Sequence, residues 1–164
     1  MMADTHFSLL NLEPVFNLNL DALEQNWRAA SAQVHPDRFA TASAAEKRIA
    51  MQWAANINQA YQVLKKPVSR AAYLCQLAGQ DLEAENNTRM DPEFLMKQMQ
   101  WREELDEARG NATALASLRD EVQAAQNTLQ SEIGQLLDST KDYAQAADKV
   151  RQLMFLVKIQ DEMK

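Results

Sequence analysis

An almost entirely helical fold is predicted by three features of this 164-residue chain: only three Gly and four Pro, alanine-rich segments whose apolar residues recur every three or four positions, and no sustained alternation. At 46% hydrophobic residues it can bury a core, as one ordinary domain or two small ones.

The elements follow in order. A short helix is expected over 6–11, then a loop through Pro14. Residues 20–34 place Leu20, Leu23, Trp27, Ala30 and Val34 on one helix face. Pro36 pushes His35 out of helical geometry and stops that helix. After Asp37, Arg38 and Phe39 a second pattern begins near Ala44, with Ala50, Trp53, Ala54, Ile57, Ala60, Tyr61 and Leu64 on one face. His35-Pro36-Asp37 is therefore expected at the exposed tip of a helical hairpin. A fourth helix over 68–77 stops at Gly79.

The polar stretch 80–90, with Glu83, Glu85, Asn86, Asn87 and Thr88, reads as a connector, which divides the chain into domains 1–79 and 91–164. Asp91-Pro92-Glu93 is a helix start: a cap, a proline at the first helical position and an acid in the first turn. Helices over 91–109, 112–137 and 141–163, joined by short connections, predict an antiparallel three-helix bundle.

The middle bundle helix carries one core stripe: Leu115, Leu118, Val122, Ala125, Leu129, Ile133 and Leu136. Its predecessor has two faces. With Met96 at zero on a wheel of about 100° per residue, Phe94, Gln98, Trp101, Leu105 and Ala108 fall between roughly 120° and 200°. Met99, Gln100, Glu103 and Glu107 gather within about 60° of Met96, with Leu95 at the edge. On the last helix Tyr143, Ala146, Ala147, Val150, Leu153, Met154 and Val157 form the main stripe, leaving Phe155 and Ile159 without an obvious core. Two readings stand level: a surface for a protein partner, or a wide stripe buried against the first domain.

A formal net charge of −6 counts against nucleic acid as the main partner. The charge is uneven: residues 1–75 hold 6 acids and 7 bases, residues 76–164 hold 17 and 10. The single cysteine, Cys75, excludes an internal disulfide and reads as a buried structural thiol. His6 and His35 are too few for a multi-histidine metal site. No apolar run has the roughly 20 residues a membrane span needs, and no signal sequence is legible, which predicts a reducing cytoplasm. A catalytic His35–Asp37 dyad lacks a nucleophile motif, a phosphate loop and an acid pair to work with. A plain helix stop explains Pro36 but neither His35 nor Asp37.

Residues 6–75 resemble a J-domain: Phe7 and Leu10 in the first helix, His35-Pro36-Asp37-Arg38-Phe39 after the second, Ala54, Ile57, Asn58, Ala60, Tyr61 and Leu64 in the third, then Pro67, Arg70 and Tyr73. The stretch from Phe94 to Met99, Arg102 to Glu107, and Val150-Arg151 through Phe155-Leu156 are similar to the HscB-type co-chaperones of iron-sulfur cluster assembly. The resemblance implies a bacterial cytoplasmic co-chaperone, not an enzyme, that needs no cofactor or metal. It implies that His35, Pro36, Asp37 and Arg38, with Arg28, Lys47 and Arg48, engage an ATPase chaperone of the HscA or DnaK type. It further implies that Leu95, Met96, Met99, Gln100, Glu103, Glu107 and Phe155 bind an IscU-type scaffold protein, with no nucleic acid or membrane involved. Most of these lie on the face the wheel sets apart, which favours the docking surface. The alternative client reading keeps the J-domain and makes the bundle a structural or oligomerisation module.

Three departures from the family pattern matter. Gln100 stands where an acid is expected, and Arg38 replaces a common lysine while keeping the charge. Arg28 is the only cation of the second helix before the motif. There is no Gly/Phe-rich stretch and no zinc-binding cysteine set, so general DnaJ-type proteins match poorly.

Overall fold

The computed structural model describes residues 5–82 and 90–164, and Glu83, Glu85, Asn86, Asn87 and Thr88 of the expected connector lie outside them. The described residues are helical, without a strand, and fall into two compact units, Met1–Leu74 and Cys75–Lys164. The division lies inside a helix that crosses from one unit to the next.

The first unit begins with α1, His6–Leu9, closed by a reciprocal capping box between Thr5 and Ser8. It is shorter than the expected 6–11 because Asn11 turns to φ 55°, a left-handed conformation asparagine tolerates and a continuing helix does not. Phe7 and Leu10 are fully buried. Helix α2, Leu20–Gln33, starts at Asn19, whose side chain accepts from the Asp21 and Ala22 amides. A 3-10 turn follows at Pro36–Phe39, and α3 runs Ala44–Lys65 from a Ser43 cap.

Helix α2 packs along α3, as the hairpin reading requires. Trp27 pins the pair: its Nε1–H donates to Asn58 Oδ1 at 3.0 Å and its ring stacks on Tyr61 at 4.3 Å. Two expected face members are exposed. Leu20 is exposed as the first residue of α2, where helix burial begins one turn later at Leu23. Trp53 is exposed with Ile49, because α1 is four residues long and meets α3 around Ile57, leaving this side of its earlier turns uncovered.

Helix α4, Pro67–Leu77, carries a buried Arg70. Its Nε–H donates to Phe16 O and an Nη–H to Leu64 O, both at 2.8 Å, and the guanidinium lies 4.9 Å over the Phe16 ring. One side chain thus ties the loop before α2 to the end of α3 through two charge-assisted bonds, the Phe16 carbonyl also accepting from the Leu18 amide at 2.8 Å. Tyr73 OH accepts from the His6 amide at 2.9 Å and its ring stacks on His6 at 4.4 Å. Burial lowers the His6 pKa. Gly79 takes φ 86°, and the amides of Gly79 and Gln80 bond back to Gln76 O and Cys75 O, ending α4 where the sequence places the stop.

In the second unit α5 spans Pro92–Ala108, α6 Ala112–Gly134 and α7 Tyr143–Asp161, a three-helix bundle with the expected short connections. The cap Asp91 accepts from the Glu93 amide, and Asn111 accepts from that of Ala114 after the turn at Gly110. Helix α6 ends differently from the sequence expectation: Gln135–Ser139 forms a π-helical turn, with the Thr140 amide bonded to Gln135 O at 3.0 Å. The wider turn brings Leu137 into the core and leaves Leu136, the expected stripe member, half-buried.

Helix α7 also departs from its expected stripe. Ile159 is fully buried and Met154 is exposed. A helix packed between two others buries more than one narrow stripe, so the buried side shifts along α7 from Ala146, Val150 and Leu153 to Leu156 and Ile159, with Met163 buried just past its end. Arg151 holds the segment after α4 against α7, donating to Asp81 O at 3.0 Å and pairing with Asp148 at 2.7 Å.

Candidate functional site

The sequence expectations single out two sets of residues, one in each unit. In the first, Pro36 provides the fixed φ that opens the 3-10 turn, and His35 precedes it in extended geometry at φ −62°, ψ 138°. The Asp37 amide donates to His35 Nδ1 at 3.2 Å, and the Arg38 amide donates to His35 O at 3.0 Å. His35, Pro36, Asp37 and Arg38 are all exposed, and the Asp37 side chain is 93% exposed. The turn is convex and presents a carboxylate, an imidazole and a guanidinium within four consecutive residues.

Beside the turn lies an apolar cleft of about 380 Å³, lined by Val34, Pro36, Phe39, Lys47, Ala50 and Met51 among others. His35 and Asp37 do not line it, so it is not the pocket that a His–Asp hydrolase would place beside the imidazole. Of the basic residues expected beside the motif, Lys47 reaches this cleft and Arg48 is exposed on the same helix. Arg28 is one exposed member of an ion pair with Glu24 at 2.9 Å, seven residues and about 10 Å of helix before His35. It shares α2 with the motif but not the turn.

In the second unit, α5 has the two faces the wheel predicts. Phe94, Trp101, Leu105 and Ala108 are buried, while Leu95, Met96 and Met99 are 42%, 71% and 73% exposed. Gln100, Glu103 and Glu107 continue this open face toward the helix end, all exposed. Gln100 Nε2–H donates to Glu104 at 2.9 Å, so the amide that replaces an acid is held by one. Glu107 borders a groove of about 370 Å³ between α5 and α6, together with Glu104 and Glu121.

Phe155 requires a correction. The sequence leaves it with no core to enter, yet on α7 it is half-buried, edge-on to Phe94 at 5.9 Å and stacked with Trp101 at 6.5 Å. Its neighbours come from the buried stripe of α5, which a wheel of α7 alone does not contain. Arg102, which is not among the expected site residues, lies 5.6 Å over the same ring and pairs with Glu162. The signal for it was available: Arg102 is seven residues after Leu95 and so on the same edge of α5. Among the described residues no His, Cys, Asp and Glu cluster has the makings of a metal site, and no helix is long and apolar enough to cross a membrane.

Comparison with known proteins covers both units. Residues 5–73 match the family model described as the DnaJ domain, and residues 90–164 match that described as the HSCB C-terminal oligomerisation domain. The chain is 54% identical over 163 residues to the co-chaperone protein HscB homolog of Bordetella pertussis, covering 99% of this chain and 96% of that one. It is 48% identical over 164 residues to the homolog of the same name in Burkholderia mallei, covering 99% and 93%. Among solved structures it is similar to the chaperone HscB from Vibrio cholerae, with a TM-score of 0.85, 37% identity and coverage of 98% and 95%. Human co-chaperone HscB aligns with a TM-score of 0.92 at 25% identity, covering 98% of this chain and 81% of that one.

Proposed function

This chain belongs to the HscB family of J-domain co-chaperones, and from that premise we propose that it stimulates the ATPase of an HscA/DnaK-type chaperone and delivers an IscU-type iron-sulfur scaffold to it. His35, Pro36, Asp37 and Arg38 meet the chaperone, with Arg28, Lys47 and Arg48 adding positive charge around the turn. Leu95, Met96, Met99, Gln100, Glu103, Glu107 and Phe155 hold the scaffold. The reading assigns 1–79 to the J-domain, 80–90 to a connector and 91–164 to the scaffold-binding bundle. It gives the chain no catalytic step or cofactor of its own, and a place in the bacterial cytoplasm.

The observation that carries the scaffold half is the exposure of Met96 and Met99 on a helix whose opposite face is buried. Two methionines and a leucine held in water gain free energy when a partner covers them, and unbranched methionine adapts its shape to the covering surface. The flanking Glu103 and Glu107 supply charge that orients a basic partner surface and speeds its approach. Titration calorimetry with purified scaffold tests this directly: Leu95→Ala combined with Met99→Ala is expected to weaken binding by roughly tenfold or more. Unchanged affinity in that variant would sink the assignment. The chaperone half is tested by ATPase stimulation, which His35→Gln is expected to abolish while scaffold binding persists.

A second reading has an observation of its own. The family model matched by residues 90–164 is described as an oligomerisation domain, and the same apolar face would serve self-association. Light scattering separates the two. A concentration-dependent dimer that Met99→Ala dissociates would favour the oligomerisation module, whereas a monomer that binds scaffold supports delivery.

A further inference from the structure

The first backbone donors of the 3-10 turn Pro36–Phe39 have defined partners. Pro36 has no N–H, and the Arg38 amide is taken by His35 O at 3.0 Å. The Asp37 amide would be left over, and it is satisfied by His35 Nδ1 at 3.2 Å. An amide N–H can only donate, so Nδ1 must present its lone pair, and the ring proton then sits on Nε2. The same Nδ1 lies 3.7 Å from Asp37 Oδ2, the contact a charged ring would use. That distance is too long for a hydrogen bond, whereas 3.2 Å falls at the edge of the ordinary range. A proton on Nδ1 would also face the Asp37 amide hydrogen.

Resting on the chaperone-facing reading of this turn, we propose that His35 has two separable parts. Its Nδ1 acts inside the molecule as the N-cap of the 3-10 turn, and its Nε2–H is the single donor the ring offers the chaperone. The matching group on the chaperone is accordingly a hydrogen-bond acceptor, a carbonyl or carboxylate oxygen. Histidine suits both parts because its two nitrogens point in different directions from one rigid ring. Asparagine can accept the Asp37 amide at the position of Nδ1, since it caps well, but its own donor lies closer to the backbone than Nε2 does. Glutamine reaches as far as Nε2 but belongs to the residues that cap poorly.

The test uses the full chain and three readouts. Long-range nitrogen spectra of the imidazoles, with His6 as the only other histidine, should show Nδ1 of His35 unprotonated; a proton on Nδ1 would overturn the capping half. Amide exchange at Asp37 should stay near wild type in His35→Asn and speed up at least severalfold in His35→Gln; equal exchange in both would also overturn it. Stimulation of an HscA-type chaperone should fall at least tenfold in His35→Asn although its turn remains capped. Full stimulation by that variant would overturn the donor half. Should the wild-type chain give no stimulation, the chaperone reading and the donor half fall together, while the spectra and the exchange rates still decide the cap.

Discussion

Phe155 shows how far a single ring's role depends on its neighbours. Phe94 and Trp101 bury part of it and the Arg102 guanidinium covers another part, so truncation removes packing as well as any surface for a partner. Phe155→Ala is therefore expected to cost about 1–3 kcal/mol in urea unfolding, less than a fully buried phenylalanine. Leu95→Ala and Met99→Ala should each stay within about 0.5 kcal/mol of wild type, because their side chains project into water. A large loss in either would return the open face of α5 to the core. Cys75 is the opposite case: fully buried, its thiol is pushed up from 9.0 to about 11 by desolvation, with the nearby Arg151 charge working against the rise. It should resist thiol reagents at pH 8 until the protein unfolds. Since the folded thiol holds its proton more tightly than the unfolded one, its contribution to stability is complete below about pH 9 and is lost as pH rises toward 11. Melting curves of wild type should accordingly drop more steeply across that window than those of Cys75→Ala, and parallel curves would contradict the shift.

At the scale of the element, what could be read from the sequence was whatever the chemistry of a single segment decides. Asp91 caps the helix that follows it as expected, and Gly79 and Gly110 take positive φ just beyond the ends expected for α4 and α5. The separation of α5 into a buried and an open face was legible for the same reason: it is a property of one helix and its 3.6-residue period. What escaped involves more than one segment. The π-helical turn at Gln135–Ser139 leaves no periodic signature of its own, and the shifting burial of α7 depends on which neighbour each turn meets. Trp53 looked internal by spacing and is not, since a short α1 leaves that side of α3 uncovered. The stops can be tested individually. Gly110 has φ 82° with open space around the position of a Cβ, so Gly110→Ala should cost about 1 kcal/mol from backbone strain alone. A loss several times larger would mean that the turn is held by packing the structure does not show.

The two compact units carry different charge, 7 bases against 6 acids up to Leu74 and 10 against 17 from Cys75 onward, and each presents its own exposed set of candidate residues. Were the units independent binding modules, they would work equally well on separate molecules. The proposed delivery requires them on one molecule, because a captured scaffold would gain a high effective concentration near the chaperone only when the chain that holds it also carries a competent turn. The consequence is an asymmetry that mixing reveals. On the proposed reading a His35→Gln chain keeps its scaffold-binding face, and a chain with Leu95→Ala and Met99→Ala keeps its turn. An equimolar mixture is expected to bind scaffold and to stimulate the chaperone at the basal level of the second variant, yet not to recover the additional ATPase rate that wild type gives when scaffold is present. Scaffold held by the first variant should even withhold substrate from the cycle, lowering the mixture below the second variant alone at limiting scaffold. Full recovery by the mixture would show that capture and triggering need no shared chain, and would leave the adaptor reading without its central step.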